Sequence, residues 1–72
     1  MFKDYWACKA AFDAAVTAGL KVTLHYLDGG KMKTCLGLPL KWDTLVALRR
    51  DLDGRTWNLQ ATRILDVVAL PS

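Results

Sequence analysis

The side chains able to do covalent or acid–base chemistry are few. His25 is the only histidine, Ser72 the only serine, and Cys8 and Cys35 the only thiols. A Ser-His-Asp triad would have to recruit the last residue of the sequence, where chains fray. Zinc normally takes four ligands in close pairs such as C-x-x-C, and two isolated thiols offer no such pair. A Cys–His nucleophilic couple, built from His25 and either thiol, is the one catalytic arrangement left. Against it stands the commoner role of cysteine as a small core residue. These residue types point to a non-catalytic chain that needs no metal and no cofactor.

Binding chemistry is better supplied. Ten Lys and Arg face seven Asp, with no Glu, giving a net charge of +3. Arg49, Arg50 and Arg55 flank a turn, and Arg63 opens the last apolar segment. Guanidinium groups make planar, bidentate contacts with phosphate or carboxylate. Cations interleaved with Tyr26, Trp42 and Trp57 are the ingredients of a surface that stacks bases and holds phosphates of single-stranded nucleic acid. Lys21 and His25 are expected to share an outward strand face with Lys31, Lys33 and Cys35. Asp51 and Asp53 partly neutralise the arginine cluster, and outward lysines on strands also serve to discourage edge pairing. The expected binding set is Arg49, Arg55 and Arg63, supported by Lys33 and Trp42. Trp57 shares the parity of Leu59 and is expected in the core. Trp6 falls on the polar side of a helix and is the candidate contact for a protein partner.

The elements that position these residues follow from periodicity. Asp4 to Ala18 reads as a helix, capped by Asp4 and stopped by Gly19, with Tyr5, Cys8, Ala11, Phe12, Ala15 and Val16 on one side. The period then changes to two. Val22, Leu24 and Tyr26 alternate with polar residues, Asp28-Gly29-Gly30 makes a tight hairpin turn, and Lys31 to Leu36 returns. Gly37-Leu38-Pro39 is expected to break that strand. A third strand spans about 43–49, a fourth 55–60 after the Asp51-Leu52-Asp53-Gly54 turn, and a fifth 64–70 after a break at Ala61-Thr62. One helix (about 4–18) and five short strands (about 20–70) make a small, mostly-β single domain over 1–72. The strands are expected to form a strongly bent antiparallel barrel of the Sm-like or SH3-like kind, with an open sheet carrying the helix on one face as the alternative.

Seventy-two residues, 53% hydrophobic, suffice for one domain with a marginal core. No apolar run is long enough to span a membrane, and no secretory signal is evident, so a cytoplasmic chain with reduced thiols is expected. The nearly all-apolar last strand suggests an edge that a second copy can use, hence a homo-oligomer.

From Phe12 onward the chain resembles the WYL domain, a bacterial Sm-like module of transcriptional regulators. The residues that carry the resemblance are Ala14-Ala15, Val22 to Tyr26, Asp28-Gly29-Gly30, Leu38-Pro39-Leu40, Trp42 with Leu45-Val46-Ala47, Arg55-Thr56-Trp57 and Thr62-Arg63-Ile64. Trp42-Asp43-Thr44-Leu45 stands where that family has Trp-Tyr-Leu. The resemblance implies an Sm-like fold and binding of nucleic acid or a phosphorylated ligand in transcription control. The order Tyr5, Ala7-Cys8, Leu24, Leu27-Asp28-Gly29 followed by strands is also similar to the small Rho-directed antiterminator proteins. That likeness implies a protein-binding adaptor or inhibitor of a termination factor.

Overall fold

The computed structural model describes residues 4–71; Ser72 lies outside them. The first helix, α1, covers Tyr5–Ala18. The Asp4 carboxylate accepts the backbone N–H of Ala7 at 2.8 Å, which satisfies one of the donors a helix start leaves open. Gly19 closes the other end in the left-handed region. The Leu20 N–H donates to Ala15 O at 3.0 Å and the Gly19 N–H to Val16 O at 3.3 Å, the pair of bonds of a Schellman stop. Cys8, Phe12 and Ala15 of the expected stripe are buried, while Tyr5 and Val16 lie at its exposed margins.

Five antiparallel strands follow: β1 (Val22–Asp28), β2 (Lys31–Lys41), β3 (Leu45–Arg50), β4 (Thr56–Gln60) and β5 (Ile64–Ala69). A short 3-10 turn over Ala61–Arg63 joins β4 to β5. They form one sheet in the order β4-β3-β2-β1-β5. The sheet is strongly curled. In a flat sheet β1 and β4 would stand about 14 Å apart, three strand spacings. Here the Tyr26 and Trp57 rings of those strands meet with centroids 5.1 Å apart. Among the described residues no ladder joins β4 to β5, the two outer strands.

Helix α1 packs across β5 and β2 on the concave side. The core there consists of Cys8, Phe12 and Ala15 with Val22, Leu24, Trp42, Val46, Leu48, Leu59, Ala61, Ile64 and Val67. No helix among the described residues is long and apolar enough to cross a membrane.

Two expectations about β2 need correction. The strand does not stop at Gly37: it runs on to Lys41. Its pairing with β1 ends at Val22↔Gly37, and from Gly37 onward it pairs with β3, with a register shift after Pro39. Pro39 therefore sits where only one neighbour needs a donor, the place a sheet tolerates proline. The second correction concerns faces. The two-residue Gly29-Gly30 turn sets Asp28 opposite Lys31 and Tyr26 opposite Lys33. Directly opposed residues share a face, so Lys31, Lys33 and Cys35 go with Tyr26 and Leu24, not with Lys21 and His25. His25 instead faces Thr34 on one side and Asp66 on the other.

Candidate functional site: an aromatic and guanidinium-lined cleft

The five expected binding residues do not assemble into one surface. Because β5 pairs with β1 rather than β4, Arg63 is carried away from Arg49 and Arg55. Its Nε donates to the Leu27 carbonyl at 2.9 Å and its Nη2 to Asp28 Oδ1 at 3.2 Å. Lys33 binds the other oxygen of the same carboxylate, with Nζ to Oδ2 at 2.9 Å. Asp28 thus ties the β1–β2 hairpin to the start of β5 and neutralises two of the expected ligand contacts. Lys33 lowers the Asp28 pKa first by this hydrogen bond and then by its charge, with Arg63 adding to both.

Trp42 is 8% exposed and belongs to the core. Its ring stands edge-on to Phe12 and Tyr5, and Nε1 donates to Tyr5 Oη at 3.2 Å. An indole seated beneath α1 offers no face to a base. Trp6, by contrast, is 72% exposed and lies edge-on to Tyr5. Arg49 points to the convex side of β3, between Leu38 and Thr56, opposite in parity to buried Leu48. Among the described residues Arg49, Arg55 and Lys31 have no acidic partner, whereas Lys9, Lys21, Lys41 and Arg50 each form an ion pair.

The concave side opens instead into a cleft of about 460 Å³ between the two hairpins. Tyr26, Cys35 and Trp57 line it together with Arg50, Asp51 and Leu52 of the β3–β4 turn. Each arrives there for a local reason. Tyr26 lies past the buried Val22 and Leu24 on the same face of β1, where the core thins. Arg50 follows Leu48 with the same parity on β3 and stands opposite Gly37, whose missing side chain lets the two strands come close. A Cβ on Gly37 would overlap the Arg49 carbonyl. Leu52 caps the turn at 91% exposure.

Electrostatics set the character of this cleft. Arg50 Nη2 meets Asp53 Oδ2 at 2.5 Å, and Lys21 Nζ meets Asp51 Oδ1 at 2.8 Å. Burial pushes the Cys35 thiol pKa up, with the nearby Arg50 charge acting the other way. Cys35 forms part of the cleft wall. His25 lies on the face opposite Cys35, so β1 and β2 do not bring these two together as a catalytic couple. Among the described residues no group of three His, Cys, Asp or Glu side chains is placed to hold a metal ion.

Arg50 is the residue that reading by charge density overlooked, since Asp53 appeared only as its neutraliser. The available signal was parity: Leu48 and Arg50 alternate with Arg49, so one arginine must follow the core face outward. A comparison with family models, curated proteins and solved structures finds no match.

Proposed function

We propose that the chain is a non-catalytic binding module that takes a phosphorylated ligand with a planar group, a nucleotide or a short stretch of single-stranded nucleic acid. The cleft between Tyr26, Trp57 and Arg50 is its site. The supporting observation is the pairing of these two half-buried rings with a guanidinium in a space of about 460 Å³. Ligand pockets of roughly 300–1,000 Å³ with mostly apolar walls and a few polar anchors are the usual form of such sites. Arg55, next to Arg50 across the turn, adds a second cation to the same hairpin. The likeness of the motifs to WYL domains points to transcription control as the setting, and a cytoplasmic location belongs to the same reading.

Titrating Trp fluorescence with a short oligothymidylate tests it. Binding should weaken steeply with salt, as phosphate contacts do. Trp57→Ala should lower affinity about tenfold, the usual scale for losing one stacking platform. Arg49→Ala, on the convex side, should change little. Equal binding by wild type and Trp57→Ala would sink the assignment.

A second reading, a protein-binding adaptor, is favoured by Trp6 and by Leu27, Met32, Leu36 and Val68, all exposed. Salt-insensitive capture of a protein partner that Trp6→Ala abolishes would replace the first reading with this one. In either case the two outer strands, β4 and β5, are the edges through which a homo-oligomer forms.

A further inference from the structure

Resting on the cleft reading above, we propose that Asp53 is an internal stand-in for the ligand's anionic group. Its carboxylate occupies the edge of Arg50 that a phosphate takes over on binding. Three observations carry this.

The first is the half-used edge of the guanidinium. Nε–H and one Nη–H of arginine point the same way and together fit a two-oxygen anion. Asp53 Oδ2 engages Nη2 at 2.5 Å, yet Arg50 Nε is buried with no hydrogen-bond partner among the described residues. Asp53 leaves the fork incomplete: its Oδ1 is turned to the Arg55 backbone N–H at 3.0 Å rather than to Arg50 Nε. A phosphate, with three oxygens and no backbone duty, satisfies both donors.

The second is position. Arg50 lines the cleft beside Trp57 and Tyr26, so an anion on that edge belongs to a molecule whose planar part reaches the rings. Asp51, the other carboxylate of the turn, is already engaged by Lys21.

The third is that the turn lies outside the core. Asp51, Leu52, Asp53 and Gly54 are all exposed, so the carboxylate can swing away while every core contact stays in place. The Arg55 N–H first, and then the Arg50 guanidinium, hold the Asp53 carboxyl below the usual range, so it is ionised and competes at neutral pH.

The test compares 5′-AMP, adenosine and a short oligothymidylate on the full chain and its variants. Asp53→Asn keeps an oxygen for the Arg55 N–H and loses the charge; Asp53→Ser does the same with a smaller group and decides the matter if the first variant fails to fold. Each should bind AMP about fivefold tighter than wild type, the scale of one exposed ion pair, with adenosine unchanged. In the wild-type chain, saturating AMP should move the Asp53 carboxyl pKa up toward its ordinary value by NMR. A matching gain for the oligothymidylate identifies the phosphate as polymer-borne, and a gain for AMP alone identifies a free nucleotide; either supports the stand-in. AMP binding that is equal in wild type and variants overturns it and leaves the cleft reading standing. An equal gain for adenosine also overturns it. If neither AMP nor the oligonucleotide binds any variant, both the stand-in and the cleft reading fall.

Discussion

Arg63 and Arg55 have the same side chain and different tasks. Arg63 spends its donors inside the fold, on Leu27 O and Asp28, while Arg55 has no acidic partner among the described residues. Arg63→Ala should therefore lower the melting temperature by several degrees, and Arg55→Ala should leave it nearly unchanged. Thermal unfolding followed by circular dichroism separates the two. Asp28 carries a pH signature. The Lys33 hydrogen bond and charge, with Arg63, lower its folded pKa below the unfolded value of about 4. Its stabilising contribution is thus full above that value and is lost as pH falls through the lowered one. Lys33 mirrors this at the other end. The Asp28 hydrogen bond raises its pKa, so its contribution is full below about 10.4 and is lost as pH rises through the raised value. Asp28→Asn should flatten both limbs of a stability–pH profile measured by urea unfolding. Part of each limb should survive, because Asp53 is also shifted down and Lys9, hydrogen-bonded to Asp13, is also shifted up. A variant that keeps the full alkaline limb would show that Lys33 is stabilised by something other than Asp28.

At the scale of elements, what was legible in the chain is what depends on near neighbours. The helix ends were readable because Asp4 and Gly19 act within one turn of themselves, and the Gly29-Gly30 hairpin because two positive-φ residues suit its turn. The length of β2 was not readable. Gly37 and Pro39 look like a stop until β3 is known to lie alongside, and only that pairing turns the glycine into a close approach and the proline into a local edge residue. Trp42 was misplaced for the same reason: its burial depends on α1 crossing above it, a contact made with Phe12 and Tyr5 from far along the chain. The cleft fell between these cases. Tyr26 and Trp57 were visible as inward residues, but their meeting requires the curl of the whole sheet. Gly37→Ala tests that close approach directly. The new methyl group has no room against the Arg49 backbone, so the substitution should cost about 3 kcal/mol in urea unfolding, whereas Asp4→Ala should cost about 1 kcal/mol. A Gly37→Ala variant as stable as wild type would mean that β2 and β3 lie further apart than described.

For the whole molecule, the governing fact is size. The radius of gyration of 10.9 Å is that of a compact chain of this length, about 11 Å, so there is little interior left to recruit. Domains this small bury only about 60% of the surface their unfolded chains expose, and stability gained outside the monomer matters correspondingly more. The curled sheet still ends in two outer strands, β4 and β5, with no ladder between them among the described residues. Neither carries the usual defences of an edge: β4 has no lysine or proline, and β5 has a single charge, Asp66. Val68, exposed on β5, stands directly opposite Thr23 of β1, which in turn stands opposite Leu36 of β2; the three share one face of the sheet, and this exposed strip ends at Val68 on that edge. Self-association through these edges is the expected outcome, read by sedimentation as a mass that is a multiple of 8.0 kDa. Because a copy that binds only the folded state stabilises it by mass action, the melting temperature should rise with protein concentration. Val68→Lys places a charge on the exposed strip without touching the core. It should sediment as the monomer and melt at a temperature independent of concentration. If wild type already sediments as an 8.0 kDa monomer at high concentration, the edges are closed by the fold itself and association plays no part.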